Sequence, residues 1–193
     1  MGVRIEFGIL FFLSRAPTAD RLSLKNFPLA LAPPPPGKTA PTSKTVLVAA
    51  AALVDDQGRV LLARRPPGKS MAGLYEFPGG KVDAGETLEG CLARELREEL
   101  GIEADVSSMR PLTFASHAYT KGDGNNESFY LIMPLFEVTR WKGEPCAKEG
   151  QTLEWAPAGK LRSFEMPPAD LPLLEAVEAA AMKRAVPAVA DAT

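Results

Sequence analysis

"GGKVDAGETLEGCLARELREELGI", Gly79 to Ile102, crowds Glu95, Glu98 and Glu99 into a few positions and interleaves them with Arg94 and Arg97. On a helix, residues at i, i+3 and i+4 share a face, so the three carboxylates are expected to converge. Leu92, Leu96 and Leu100 form an adjacent apolar stripe that can bury against a sheet. Thr87 is a suitable N-cap and Gly101 a suitable stop, which predicts a helix over Thr87–Leu100. Gly90 inside it is a departure that costs roughly 1 kcal/mol against alanine.

Two readings of the acids are open. One is a solvated face offset by Arg94 and Arg97. The other is a set of carboxylates gathered around a cation. The glycine-rich "FPGGKVDAGE" running into the helix, with Glu86 at its end and outside the helical period, favours the second. Oxygen-only ligands suit a hard cation, Mg²⁺ or Mn²⁺. Mg²⁺ also takes phosphate oxygens, which suggests metal-assisted attack of water on a phosphoanhydride.

Outward from this stretch, "TVLVAAAALV" reads as a buried strand and "RVLLARR" as its hairpin partner across "DDQG". "LYEFPGG" reads as a short extended piece stopped by Pro78 and two glycines. Strands are predicted around Leu112–Tyr119 and Ser128–Val138, joined by a polar tip, with a last short strand near Trp155. "MPPADLPLLEAVEAAAMKRA" closes the domain as a helix, with Asp170 placed to cap it.

The sum is an α+β domain over residues 44–185. Before it, residues 1–43 hold a short apolar run and four consecutive prolines, expected as a poorly ordered extension without catalytic residues. A flexible tail is expected over 186–193. The apolar run is too short to span a bilayer, and Glu6 before it makes a secretory signal a poor fit. An organellar transit peptide or an early-assigned start codon are the weaker alternatives.

Composition narrows the function. The 193 residues carry a formal net charge of −2, so no basic excess exists to neutralise a nucleic-acid polymer. Cys91 and Cys146 show no metal-ligand spacing and read as free thiols of a reducing compartment. His117 is the single histidine, which excludes histidine triads and His-rich zinc sites. A cytoplasmic monomer without membrane or nucleic-acid partners is expected.

Gly80, five residues, Glu86, seven residues, then "RELREELGI" resembles the complete Nudix box, G-x5-E-x7-R-E-U-x-E-E-x-G-U with U a bulky apolar residue. Every fixed position matches. The resemblance implies a Nudix hydrolase, with a mixed β-sheet between α-helices, cleaving a nucleoside diphosphate linked to another group. Carried over by position, Glu95, Glu98 and Glu99 would be metal ligands, with Gly79 as a further one. Glu86 and Arg94 would pair and orient that set, and Gly80 would let the backbone turn tightly.

"ARRPPGKSMAGLYEFPGGK", "RWKGEPCAKEGQTLEW" and "MPPADLPLL" extend the similarity to the MutT type of this family. That type converts nucleoside triphosphates to monophosphates and pyrophosphate, with oxidised guanine nucleotides preferred. Glu149 falls where the type carries a further metal-binding or base glutamate, or it is an ordinary loop acid. Arg65 and Lys81 would contact phosphate, or sit on the surface beside Arg64 and Asp83. Glu76 and Asp170 are candidate base readers, and Phe77 and Tyr119 could stack on a base or belong to the core.

At the position of Asp170 the best-known MutT enzymes carry asparagine, and an ionised aspartate only accepts hydrogen bonds. That leaves 8-oxo-dGTP as the leading substrate and admits CTP or a modified dCTP. An ADP-ribose-type hydrolase fits the flanking segments less well. A non-catalytic nucleotide-binding regulator would have lost box carboxylates, and none is lost here.

Overall fold

The computed structural model describes residues 44–123, 125 and 127–185. The expected extension over 1–43 and tail over 186–193 lie outside the described residues.

The elements run β1 (Lys44–Leu53), β2 (Arg59–Arg64), β3 (Tyr75–Glu76), β4 (Gly79–Lys81), α1 (Leu88–Leu100), β5 (Glu103–Ala104), β6 (Arg110–Tyr119), β7 (Phe129–Val138), β8 (Trp141–Lys142), β9 (Thr152–Pro157) and α2 (Leu174–Ala185). The main sheet has the order β4-β1-β7-β6 and is mixed: β1 lies parallel to β7 and antiparallel to β4. A second, antiparallel sheet has the order β3-β2-β9. β5 and β8 make a small third pair.

β1 explains the layering. Successive side chains of a strand point to opposite faces. Ala50, Ala52 and Val54 accordingly join a cluster with Leu174, Val177 and Ala181 of α2. Ala49, Ala51 and Leu53 join the opposite cluster with Leu92, Leu96 and Leu100 of α1. Sheet and helices therefore form the α+β arrangement, a mixed sheet between helices, that the resemblance implies. The leucine stripe of α1 is fully buried, at roughly 1.5–3 kcal/mol per side chain relative to exposure.

The hairpin expectation fails after one step. The "DDQG" turn does close, with the Gly58 N–H on the Asp55 carbonyl at 3.0 Å. Beyond it, pairing stops at a single Val54–Val60 bridge. Both edges of β1 are taken by β4 and β7, so β2 turns away to pair with β3 and β9.

The two glycines after Pro78 do not stop a strand either. They form β4, opposite Ala49 and Ala50. Among the described residues, no helix is long and apolar enough to cross a membrane.

Candidate active site

α1 starts where Thr87 Oγ1 accepts the Gly90 N–H at 3.0 Å. It ends where Gly101 turns left-handed (φ 70°) and donates its N–H to the Arg97 carbonyl. A Cβ at Gly90 would lie 3.0 Å from Thr87 Oγ1, so glycine there keeps the cap uncrowded. These ends fix which turn carries the acids.

Arg94 organises the exposed side of the helix. Its Nε and Nη2 donate to the two Glu86 oxygens, each at 2.8 Å, a bidentate grip. Its Nη1 donates to Glu95 at 2.8 Å and to Glu98 at 3.3 Å. The Arg94 hydrogen bonds hold the Glu86 carboxyl far below the usual carboxylate range, helped by the Asp83 N–H. The same bonds, with Glu86 first, raise the guanidinium further.

Gly80 serves this cluster by lacking a side chain. A Cβ there would sit 2.1 Å from the Glu95 carboxyl carbon. The glycine is a close-approach residue inside β4, which corrects the expected tight turn. Its neighbour Gly79 (φ 151°) would put a Cβ 2.2 Å from the Ala49 carbonyl oxygen.

Glu99 points elsewhere, to two adjoining pockets. A small one of about 80 Å³ is lined by Arg65, Lys69, Glu76, Glu99, Glu149 and Gln151, among others. A larger one of about 370 Å³ shares Arg65, Glu76 and Glu99 and adds Phe77, Gly79, Lys81, Tyr119 and Asp170. Burial pushes the Glu99 carboxyl up to about 7, reinforced by the negative charges of Glu95, Glu76 and Glu149 and opposed by the Gly79 N–H.

The three box glutamates thus do not meet at one point. Among the described residues, no three acidic, histidine or cysteine side chains are arranged to hold a metal. Like charges separate, and Arg94 draws Glu95 and Glu98 to one side while Glu99 faces the pocket. The chemistry of the donor set still fits a hard divalent cation. All donors are oxygens, and like charge together with burial disfavours the ionised Glu99, which a cation would relieve.

Arg65 is tied rather than free: Nη1 donates to both Glu76 oxygens at 2.8 and 2.7 Å, and Nε donates to the Ser70 carbonyl at 2.6 Å. Burial raises the Glu76 carboxyl even so, against the pull of Arg65. Glu149 forms a 3.6 Å ion pair with Lys69.

Asp170 does not cap the last helix. It makes no capping bond, and a 3₁₀ turn (Leu171–Leu173) separates it from α2. Its carboxylate instead accepts the Phe77 N–H at 3.3 Å from across the fold. Asp170 is only 4% exposed. Burial, then the charge of Glu76, pushes it up to about 7.

Phe77 and Tyr119 are buried as well as pocket-lining. Tyr119 packs on His117 at 4.6 Å and on Phe129 at 5.0 Å, which gives His117 a structural contact. Lys69 and Gln151 were not anticipated as pocket residues. Their only signal in the sequence is nearness to "ARRPPGK" and "KEGQ".

Residues 44–182 match the NUDIX domain. The chain is a member of the Nudix hydrolase family. The curated Nudix relatives include the CTP pyrophosphohydrolase of Escherichia coli (strain K12), 39% identical over 127 residues, spanning 65% of this chain and 87% of the relative. The 8-oxo-dGTP diphosphatase of the same organism is 34% identical over 131 residues, spanning 68% of this chain and 95% of the relative. Among solved structures, a MutT NUDIX hydrolase from Burkholderia pseudomallei superposes with a TM-score of 0.60 at 30% identity, covering 70% of this chain and 99% of that one.

Proposed function

We propose that this Nudix hydrolase converts nucleoside triphosphates to the monophosphate and pyrophosphate, with 8-oxo-dGTP the preferred substrate. It works as a cytoplasmic monomer that keeps oxidised nucleotides out of DNA. One observation carries the reading: a single pocket runs from Glu99 and Gly79, beside the acidic helix, to the buried Asp170. Phosphates belong at the first end and the base at the second.

Glu95, Glu98 and Glu99, with Gly79 and Glu149 as further ligands, would hold Mg²⁺ or Mn²⁺, which supplies charge neutralisation at the phosphates and a more acidic water. Arg94 and Glu86 position the ligand-bearing turn. Lys81 at the pocket wall adds positive charge for a phosphate, and Arg65 does so once it parts from Glu76.

At the base end, Asp170 raised to about 7 is in part a neutral acid at physiological pH. A neutral carboxyl both donates and accepts, as an asparagine amide does. The aspartate is therefore less of a departure from the MutT pattern than its ionised form suggests. Glu76 faces the same pocket, and Phe77 and Tyr119 wall the space between.

A second reading, CTP, is favoured by the 39% identity to the Escherichia coli CTP pyrophosphohydrolase. Pyrophosphate release from 8-oxo-dGTP, dGTP, CTP and ADP-ribose, with Mg²⁺, Mn²⁺ or EDTA, decides. The expected order puts 8-oxo-dGTP first, with all turnover lost in EDTA. A higher kcat/KM for CTP replaces the guanine assignment, and no metal-dependent turnover on any of the four rejects the enzymatic reading.

A further inference from the structure

The last carbonyls of α1 point at the loop between β8 and β9, residues 143–151, and the loop answers them one by one. The Cys146 N–H donates to the Leu100 carbonyl at 2.9 Å, and the Lys148 N–H to the Glu99 carbonyl at 3.0 Å. Gln151 closes the arrangement with both ends of its amide. Its Nε2 donates to the Glu99 carbonyl at 3.0 Å, and its Oε1 accepts the Glu149 N–H at 2.7 Å.

Only one orientation of this amide works, because the flipped one sets donor against donor and acceptor against acceptor. One side chain therefore joins the backbones of Glu99 and Glu149, and all three residues line the small pocket.

We propose that Gln151 is a positioning residue that fixes the Glu149 loop to α1, so that Glu149 and Glu99 face the same pocket. Gln151 is itself well anchored, since the next residue, Thr152, begins β9 and pairs with Arg64 of β2. The hold on the Glu149 side chain itself is weak. Its ion pair with Lys69 joins two groups that are each more than half exposed, and such pairs contribute little. Gly150, with φ of +78°, takes a left-handed conformation in the loop, and a Cβ there would point into open space. The catalytic part of the inference rests on the roles proposed above for Glu99 and Glu149; the tether itself does not.

Two variants test it. Gln151→Met keeps the shape and removes both hydrogen bonds. Gln151→Glu keeps the acceptor for the Glu149 N–H and removes the donor to Glu99. Amide exchange, followed by NMR on metal-free protein, should speed up in both variants at Lys148, whose N–H binds the Glu99 carbonyl, and in Gln151→Met at Glu149 as well. With 8-oxo-dGTP and Mg²⁺, kcat of Gln151→Met should fall about 10–100-fold, with KM held within about twofold, as expected of a misplaced catalytic group.

Unchanged Glu149 exchange in Gln151→Met, or faster exchange with unchanged kcat, overturns the proposal. If Gln151→Met does not fold, wild-type Lys148 exchange in Gln151→Glu overturns it. Wild-type protein without turnover rejects the enzymatic reading, and the exchange data then decide the tether alone.

Discussion

Around Arg94 and around Asp170 the same functional group is handled in opposite ways. Glu86, Glu95 and Glu98 share one half-buried guanidinium, and Glu86 is held firmly ionised by it. Asp170 is almost fully buried, and the Phe77 N–H and Arg65 are outweighed by desolvation and Glu76. The acidic helix beside the pocket thus keeps its carboxyls paired and Glu86 charged. At the far end of the pocket a buried carboxyl is instead raised toward neutrality. The nucleotide substrate proposed above, with charged phosphates and an uncharged base, would need both.

The comparison breaks most severely at the charged end. Glu98 is 52% exposed and bound by Arg94 at 3.3 Å, so Glu98→Gln should leave Tm within about 2 °C. If the cluster is catalytic, kcat should nevertheless fall on the order of 10³-fold. Steady-state kinetics beside a thermal melt checks this; retained turnover would return the cluster to a surface network.

Asp170 sharpens the other end. Its folded-state value lies above that of the unfolded chain, so its contribution to stability is complete at acid pH and is lost as pH rises toward about 7. Asp170→Asn lacks that loss. The Tm difference, variant minus wild type, should grow by roughly 5 °C between about pH 5 and about pH 8. Over the same range kcat/KM for 8-oxo-dGTP should decline in the wild type relative to the variant. A parallel pair of pH profiles would show that Asp170 stays ionised.

The smallest expected effect separates scaffold from chemistry. Thr87→Ala removes the cap of α1, at about 1 kcal/mol and roughly 2–4 °C in Tm. Metal-saturated kcat should stay within about twofold, because the Thr87 hydroxyl serves the Gly90 N–H and not the carboxylates. A much larger drop in kcat would tie the helix start to the site.

Local chemistry made α1 legible. A cap, a stop and an i, i+4 leucine stripe all act within one helix, so the sequence predicted Thr87–Leu100 and the helix spans Leu88–Leu100. Misreadings came where a distant partner decides. The β1–β2 hairpin looked sound until β4 and β7 claimed both edges of β1. Asp170 had the right type and place for a cap, yet its partner is the Phe77 N–H.

The site shows the same divide. Spacing along the helix grouped Glu95, Glu98 and Glu99, but the position of Arg94 decides which of them turn away. The Arg65–Glu76 pair and the Gln151 link to Glu99 depend on how loops return to the helix. No period in the sequence encodes them.

The alanine run of β1 has one more consequence. Ala49 to Ala52 are all buried, and their alternating methyls touch the acidic-helix layer on one face and the α2 layer on the other. The run is a party wall one residue thick between the apolar layer under α1 and the apolar layer under α2. Enlarging any of these methyls disturbs the neighbour on its own side and, through the strand, the tenant behind it.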